Sequence, residues 1–136
     1  MKNSFHLAIP VNDLEKTRIF YRDFLGAKEG RTDHKSWQDF NFFGHQLSCH
    51  LTTKPINPID YNQVDHMSVP IFHFGIIVEE EQFEKIRKKL EEVHVKFLIK
   101  AQTRFKEKDE EHKTMFFKDP SGNCLEIKSF TKNTSF

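Results

Sequence analysis

The feature that most constrains this chain is a short internal repeat. Phe5-His6-Leu7-Ala8-Ile9-Pro10-Val11 lies over Phe72-His73-Phe74-Gly75-Ile76-Ile77-Val78, with Phe, His, Ile and Val matched at a constant offset of 67 residues. Each heptad is apolar, rich in strand formers and followed by a helix signal, so the two halves read as related modules. At 136 residues the chain is too short for two independent cores, and the modules are expected to form one domain.

In the first half, Asn12-Asp13-Leu14-Glu15 follows the strand as a helix start, with Asn12 as the cap and Glu15 closing a capping box. Leu14, Tyr21, Phe24 and Leu25 give that helix its apolar face, and Gly26 suits its left-handed end. Trp37 to Phe43 and Gln46 to Thr52 read as strands around a Gly44-His45 turn. In the second half, Phe72 to Val78 is the first strand, and Phe83, Ile86, Leu90 and Val93 predict an amphipathic helix. Val95 to Ile99, Thr114 to Lys118 and Asn123 to Phe130 follow as strands, the last two flanking the turn Asp119-Pro120-Ser121-Gly122. Lys106 to Lys113 reads as a solvated loop. Between the halves, Pro55, Pro58 and Pro70 interrupt any periodicity, so the expected organisation is module one over about 4–54, a connector over about 55–70 and module two over about 71–131.

Composition excludes several classes. A net charge of +1 gives no electrostatic reason to bind nucleic acid or an acidic membrane. No apolar run approaches the ~20 residues of a membrane span, and no signal-type segment opens the chain, so a cytoplasmic protein is expected. Two cysteines, Cys49 and Cys124, are too few for a disulfide scaffold and form no Cys-x-x-Cys pair. Fifteen phenylalanines supply much of the buryable surface.

Strand side chains alternate faces, so His6 and His73 occupy equivalent positions, Gln46, Ser48 and His50 share a face, and Glu126 points away from Leu125 and Ile127. Aligning the module ends through Phe42-Phe43 and Phe116-Phe117, with a turn two residues longer in module two, sets Glu126 opposite His50. A lone strand histidine is usually a hydrogen-bonded, half-buried residue. Two at equivalent positions with a carboxylate are costly to bury without compensation, and one divalent cation supplies it. The candidate ligands are His6, His73 and Glu126; Fe(II) or Mn is favoured for such a set, with Zn or Ni possible, and it leaves coordination positions open. His34, His45, His66, His94 and His112 fall in or beside loops and read as solvated surface.

The first heptad with Asn12-Asp13-Leu14, Phe20-Tyr21, Leu25-Gly26, Gly44-His45-Gln46, Phe72-His73-Phe74-Gly75 and Asp119-Pro120-Ser121-Gly122-Asn123-Cys124-Leu125-Glu126 together resemble the vicinal oxygen chelate superfamily. It includes glyoxalase I, extradiol dioxygenases and the fosfomycin and bleomycin resistance proteins. The resemblance implies an α+β fold in which two β-α-β-β-β modules form an incomplete barrel of mixed sheet around a metal cleft. It also implies a small-molecule substrate with neighbouring oxygens and a homodimer. His50 is similar to the dioxygenase pattern, as an acid/base group or fourth ligand, whereas Phe116 stands where the dioxygenase signature has tyrosine. Trp37, Phe40, Gln46, Ser48, Arg104 and Phe116 are the candidates to contact substrate, Arg104 through an anionic group. Extradiol ring cleavage of a catechol is the leading expectation. A glyoxalase-like lyase or isomerase is the second, and a metal-free binding or resistance protein with Trp37, Phe40 and Phe42 lining its cleft is the third.

Overall fold

The computed structural model describes residues 3–132. The chain divides into two compact units, one formed by residues up to Asn57 with Asp119–Asn123, the other by Pro58–Lys118 with the residues from Cys124 onward.

The first unit holds β1 (His6–Val11), α1 (Leu14–Arg18) running into a π-helical stretch (Ile19–Phe24), β2 (Lys28–Asp33), β3 (Trp37–Phe42) and β4 (His45–Leu51). The strands order as β1-β4-β3-β2, with β1 parallel to β4 and the other pairs antiparallel. The helix cap is Asp13, whose carboxylate accepts from the Lys16 N–H at 2.9 Å. Asn12, expected in that role, instead donates its amide to the Thr52 and Lys54 carbonyls, and with the cap moved one residue on, Glu15 no longer stands where a capping box needs it. Phe20, Tyr21 and Leu25 are buried together, and Tyr21 packs against Phe40 at 5.5 Å between ring centres. The Asp119–Asn123 turn joins this unit through buried polar bonds: Tyr21 Oη donates to Asp119 at 2.8 Å and Asn123 Nδ2 to the Pro10 carbonyl at 2.8 Å. Strand β2 was not legible because Lys28-Glu29-Gly30-Arg31-Thr32-Asp33 is polar on both faces and broken by a bulge.

The second unit repeats the plan with β7 (Phe74–Ile77), α2 (Glu80–Glu92), β8 (Phe97–Arg104), β9 (His112–Lys118) and β10 (Cys124–Phe130), in the order β7-β10-β9-β8. Phe83, Ile86 and Leu90 are buried on α2, as their spacing requires, and Met115, Phe117, Leu125 and Ile127 are fully buried on β9 and β10. Two β-α-β-β-β modules with mixed sheets are therefore present. The stretch read as a connector carries a further hairpin, β5 (Asp60–Val64) and β6 (Met67–Ile71). Its turn residues Asp65 and His66 both take positive φ, the geometry that Asn-Gly usually signals, and its strands pair only with each other, so Pro70 is tolerated.

Register corrects the repeat alignment. Ala8 pairs with Ser48 and Pro10 with His50, while Gly75 pairs with Glu126 and Ile77 with Lys128. With Ala8 equivalent to Gly75, Glu126 corresponds to Ser48 and not to His50, whose counterpart is Lys128. Counting from the hairpin turns misplaced the match by two residues, which preserves the face and changes the row.

A Cβ on Gly75 would overlap the backbone carbonyl of Glu126. Gly75→Ala is therefore expected to cost about 2 kcal/mol or more in urea denaturation. Gly30→Ala, whose added methyl meets Asp39 at ordinary contact distance, serves as the near-neutral comparison.

Candidate metal centre

His73 is the residue immediately before β7, and Glu126 lies mid-way along β10, the strand β7 pairs with. Their pairing follows from the parallel register, which sets Gly75, two residues after His73, against Glu126. His73 Nε2 stands 3.3 Å from Glu126 Oε1. The imidazole Nδ1 lies 2.7 Å from the Pro70 carbonyl oxygen. A carbonyl oxygen only accepts, so Nδ1 carries a proton whether the ring is neutral or charged; Nε2 donates to the carboxylate in the charged ring and presents a lone pair to it in the neutral one. Two acceptors face each other unless a proton or a cation lies between them. Phe116 packs edge-on to the imidazole at 5.0 Å and fixes its plane.

Glu126 is buried, with 7% of its side chain exposed. Thr114 Oγ1 donates to its Oε2 at 2.5 Å and Lys128 Nζ approaches Oε1 at 3.6 Å. Burial alone pushes this carboxyl up, and the bonds from His73 and Thr114 with the charge of Lys128 outweigh it, so the net shift is downward. The bond to Glu126 raises His73, and the Pro70 carbonyl adds to it, against the opposing effect of burial. His73, Glu126 and Lys128 line a cleft of about 480 Å³.

The other candidates are placed differently. His6 is exposed on β1 beside Gln46, in the first unit, and among the described residues no group of three or more His, Cys, Asp or Glu side chains gathers at one point. His50 is exposed on β4, with half-buried Trp37 opposite on β3. Gln46 and Ser48 bind a residue that sequence reasoning missed. Ser48 Oγ donates to Asp39 Oδ1 at 2.6 Å, Gln46 Nε2 to Oδ2 at 3.2 Å, and the Arg31 guanidinium lies 3.6 Å away. The signal was present, since Asp39 alternates with Gln38 and Phe40 in a strand and so shares the face of Trp37.

Four residues assigned to substrate or cleft contact lie inside the fold. Phe40 and Phe42 are buried in the aromatic cluster around Tyr21, because their parity on β3 points them at the helix. Arg104 is also buried; it donates to the Val64 carbonyl at 2.8 Å and lies 3.9 Å from Asp65, so it holds the β5–β6 turn. Phe116 is buried too, and its contact is with His73. His112, read as loop surface, is a buried β9 residue whose Nδ1 meets the Glu110 carbonyl.

The two shifts set a pH window for the metal-free protein. His73, raised above the ordinary 6.5, adds stability that is complete below that value and lost as pH rises through its folded pKa. Glu126, lowered, adds stability present above the ordinary carboxylate range and lost as pH falls through its folded pKa. Urea denaturation with chelator should show a maximum between these limits. Glu126→Gln should flatten it and remove roughly 1–3 kcal/mol at its top, the worth of a charge-assisted bond.

Comparison with known proteins agrees with this architecture. Residues 4–127 match the Glyoxalase/Bleomycin resistance protein/Dioxygenase superfamily. The chain is 31% identical over 127 residues to the metallothiol transferase FosB of Lysinibacillus sphaericus (strain C3-41), covering 93% of this chain and 81% of that protein. It is 28% identical to the glutathione transferase FosA of Serratia marcescens, covering 90% and 77%. Among solved structures, a glyoxalase/bleomycin resistance protein/dioxygenase from Alicyclobacillus acidocaldarius superposes with a TM-score of 0.78 at 33% identity, over 96% of this chain and 93% of that one. The chain belongs to the glyoxalase/bleomycin resistance protein/dioxygenase superfamily.

Proposed function

We propose that the protein is a metal-dependent enzyme in which His73, Glu126 and His6 hold one divalent ion, and that it catalyses attack of an external nucleophile on a small substrate bound through neighbouring oxygens. The observation that carries this reading is the approach of His73 Nε2 to Glu126 Oε1 at 3.3 Å with the other imidazole nitrogen tied to a carbonyl, so that the neutral ring would turn its free lone pair toward the carboxylate. That is the donor set and the fixed tautomer a dication requires. When bound, the ion supplies Lewis acidity to a substrate oxygen.

The chain's own residues do the rest. Pro70 and Phe116 orient the imidazole, and Thr114 holds the second carboxylate oxygen so that Oε1 keeps its direction. A thiol nucleophile would come from a co-substrate, because Cys49 and Cys124 are both buried and burial pushes the Cys49 thiol up, away from its reactive form. External thiol transfer is the chemistry that the names of the two transferase relatives carry, which supports group transfer over the lyase reading.

Extradiol ring cleavage of a catechol is the second reading. The exposed imidazole of His50, on the strand face of Gln46 and Ser48, favours it as a proton carrier, and Phe116, which has no hydroxyl to offer, weighs against it. Either reaction is assigned to a cytoplasmic homodimer, in keeping with free buried thiols.

Elemental analysis should find close to one metal ion per chain in the wild type and a large loss in His6→Ala, His73→Ala and Glu126→Ala. Mixing His6→Ala with His73→Ala chains restores binding if two copies build each site, and fails to do so if one copy supplies all three ligands. With metal in place, consumption of a thiol alongside an electrophilic small molecule with neighbouring oxygens supports group transfer, and oxygen uptake with catechol replaces it with the second reading. A wild type that holds no metal and gains no stability from one overturns both and leaves a binding protein.

A further inference from the structure

The β5–β6 hairpin buries only Val69 and Pro70, yet it is fastened at both ends. At its turn, Arg104 Nη2 donates to the Val64 carbonyl at 2.8 Å, Arg104 Nε lies 3.9 Å from Asp65, and Gln102 Nε2 donates to the Met67 sulfur at 3.0 Å. At its base, the Pro70 carbonyl oxygen accepts from His73 Nδ1 at 2.7 Å. Gln102 and Arg104 stand on β8 and His73 opens β7, and the order β7-β10-β9-β8 sets these three strand spacings apart, roughly 14 Å, at opposite edges of the sheet. Gln102 pairs with Thr114 and Arg104 with His112, so both share the sheet face of Thr114 and Phe116. The hairpin therefore runs across that face as a strap. Side chains tie it to one edge, and the carbonyl that holds the candidate ligand ties it to the other.

Arg104 is 5% exposed, and a guanidinium taken out of water needs partners. Those it has are on the hairpin, since its Nε makes no hydrogen bond and the Phe105 ring, 5.5 Å from Cζ, offers only its face. A hairpin whose strands pair only with each other opens locally at little cost when so few side chains are buried on it. The thioether of Met67 is a weak acceptor, so the charge-assisted bond from Arg104 carries most of the hold. We propose that Arg104 is a positioning residue for the metal centre: by holding the strap it holds the Pro70 carbonyl, and through that carbonyl the imidazole of His73. Phe116 sets the plane of the ring, and the Pro70 carbonyl decides which nitrogen meets Glu126. The inference rests on the metal-site reading above and adds to it a residue whose bonds reach neither His73 nor Glu126.

With the ring protonated and no metal added, proton NMR of the wild type should show the His73 Nδ1–H shifted downfield and protected from solvent exchange, as a bond to Pro70 demands. Arg104→Met is expected to lose that protection and to weaken cobalt(II) binding about tenfold or more, the loss usual when a ligand imidazole is no longer oriented. Arg104→Lys should recover part of both. A buried arginine also matters to folding, so Asp65→Ala combined with Gln102→Ala loosens the strap from exposed positions and should show the same two losses in smaller measure. If Arg104→Met does not fold, the double variant decides alone. Ile86→Val thins the packing of α2, leaves the hairpin untouched and should move neither readout. A protected N–H and a cobalt affinity within about twofold of wild type in Arg104→Met and the double variant overturn the proposal. So does an equal loss in Ile86→Val, which would trace the effect to general destabilisation. A wild type that binds no cobalt overturns the metal-site reading and Arg104's part in it, whereas the N–H signal, read without metal, decides the hold on His73 by itself.

Discussion

The candidate centre depends on the close parallel approach of β7 to β10 at Gly75 and Glu126. That approach exists because residue 75 has no side chain, and it sets the residue two positions upstream, His73, against the carboxylate. Every other feature of the site supports this one. Thr114 and Phe116, on the same face of β9, hold the acid and the imidazole respectively, so one antiparallel neighbour fixes both members of the pair. A buried carboxylate with one hydroxyl, one imidazolium and one ammonium around it is compensated, and loss of the Nε2 proton would leave a lone pair of His73 facing it.

The two sheets share strand order and register, and they carry different chemistry at equivalent points. Ser48 stands where Glu126 does, and Asp39 stands where Phe116 does. The first unit thus keeps an acid on the same face but one strand over, and there it is tied down by Ser48 and Gln46. His6 and His73 keep the residue type while their surroundings differ: His73 is bound through both ring nitrogens, and His6 is exposed. A repeat preserves the backbone ladder because hydrogen bonding demands it, whereas side chains on the open face are free to diverge.

What was legible in the sequence follows the strength of local signals. The strand-then-helix opening of each module, the α2 face and the parity of the site strands came from periodicity, which burial enforces residue by residue, whereas the full β-α-β-β-β plan came from the family resemblance. The row in which Glu126 sits did not, because a two-residue slip leaves parity intact and only the ladder distinguishes the rows. β2 and β5 bury no residue and β6 only the adjacent Val69 and Pro70, so no apolar alternation marks them, and the Asp65-His66 turn lacks the glycine that would have announced it. Phe40 and Arg104 were assigned by residue type alone. An aromatic ring and a guanidinium are as useful inside a fold as at a substrate, and only their burial and the direction of their bonds decide which.

Two buried acids, Asp119 and Glu126, show how environment separates a structural carboxylate from a candidate functional one. Asp119 accepts from Tyr21, from the Asn123 side chain and from the backbone N–H groups of Ser121 and Asn123, all neutral donors. Burial dominates there and leaves its pKa raised, as expected of a group whose job is to close a turn. Glu126 is likewise desolvated but faces a titratable ring and an ammonium, and these reverse the sign. An acid held ionised beside cationic partners, in a cleft, can exchange one of them for a metal ion without a change in its own charge. An acid wrapped in neutral donors has nothing to exchange, so the turn motif that looks most like a signature in the sequence is scaffold, and the candidate metal ligand sits seven residues further on.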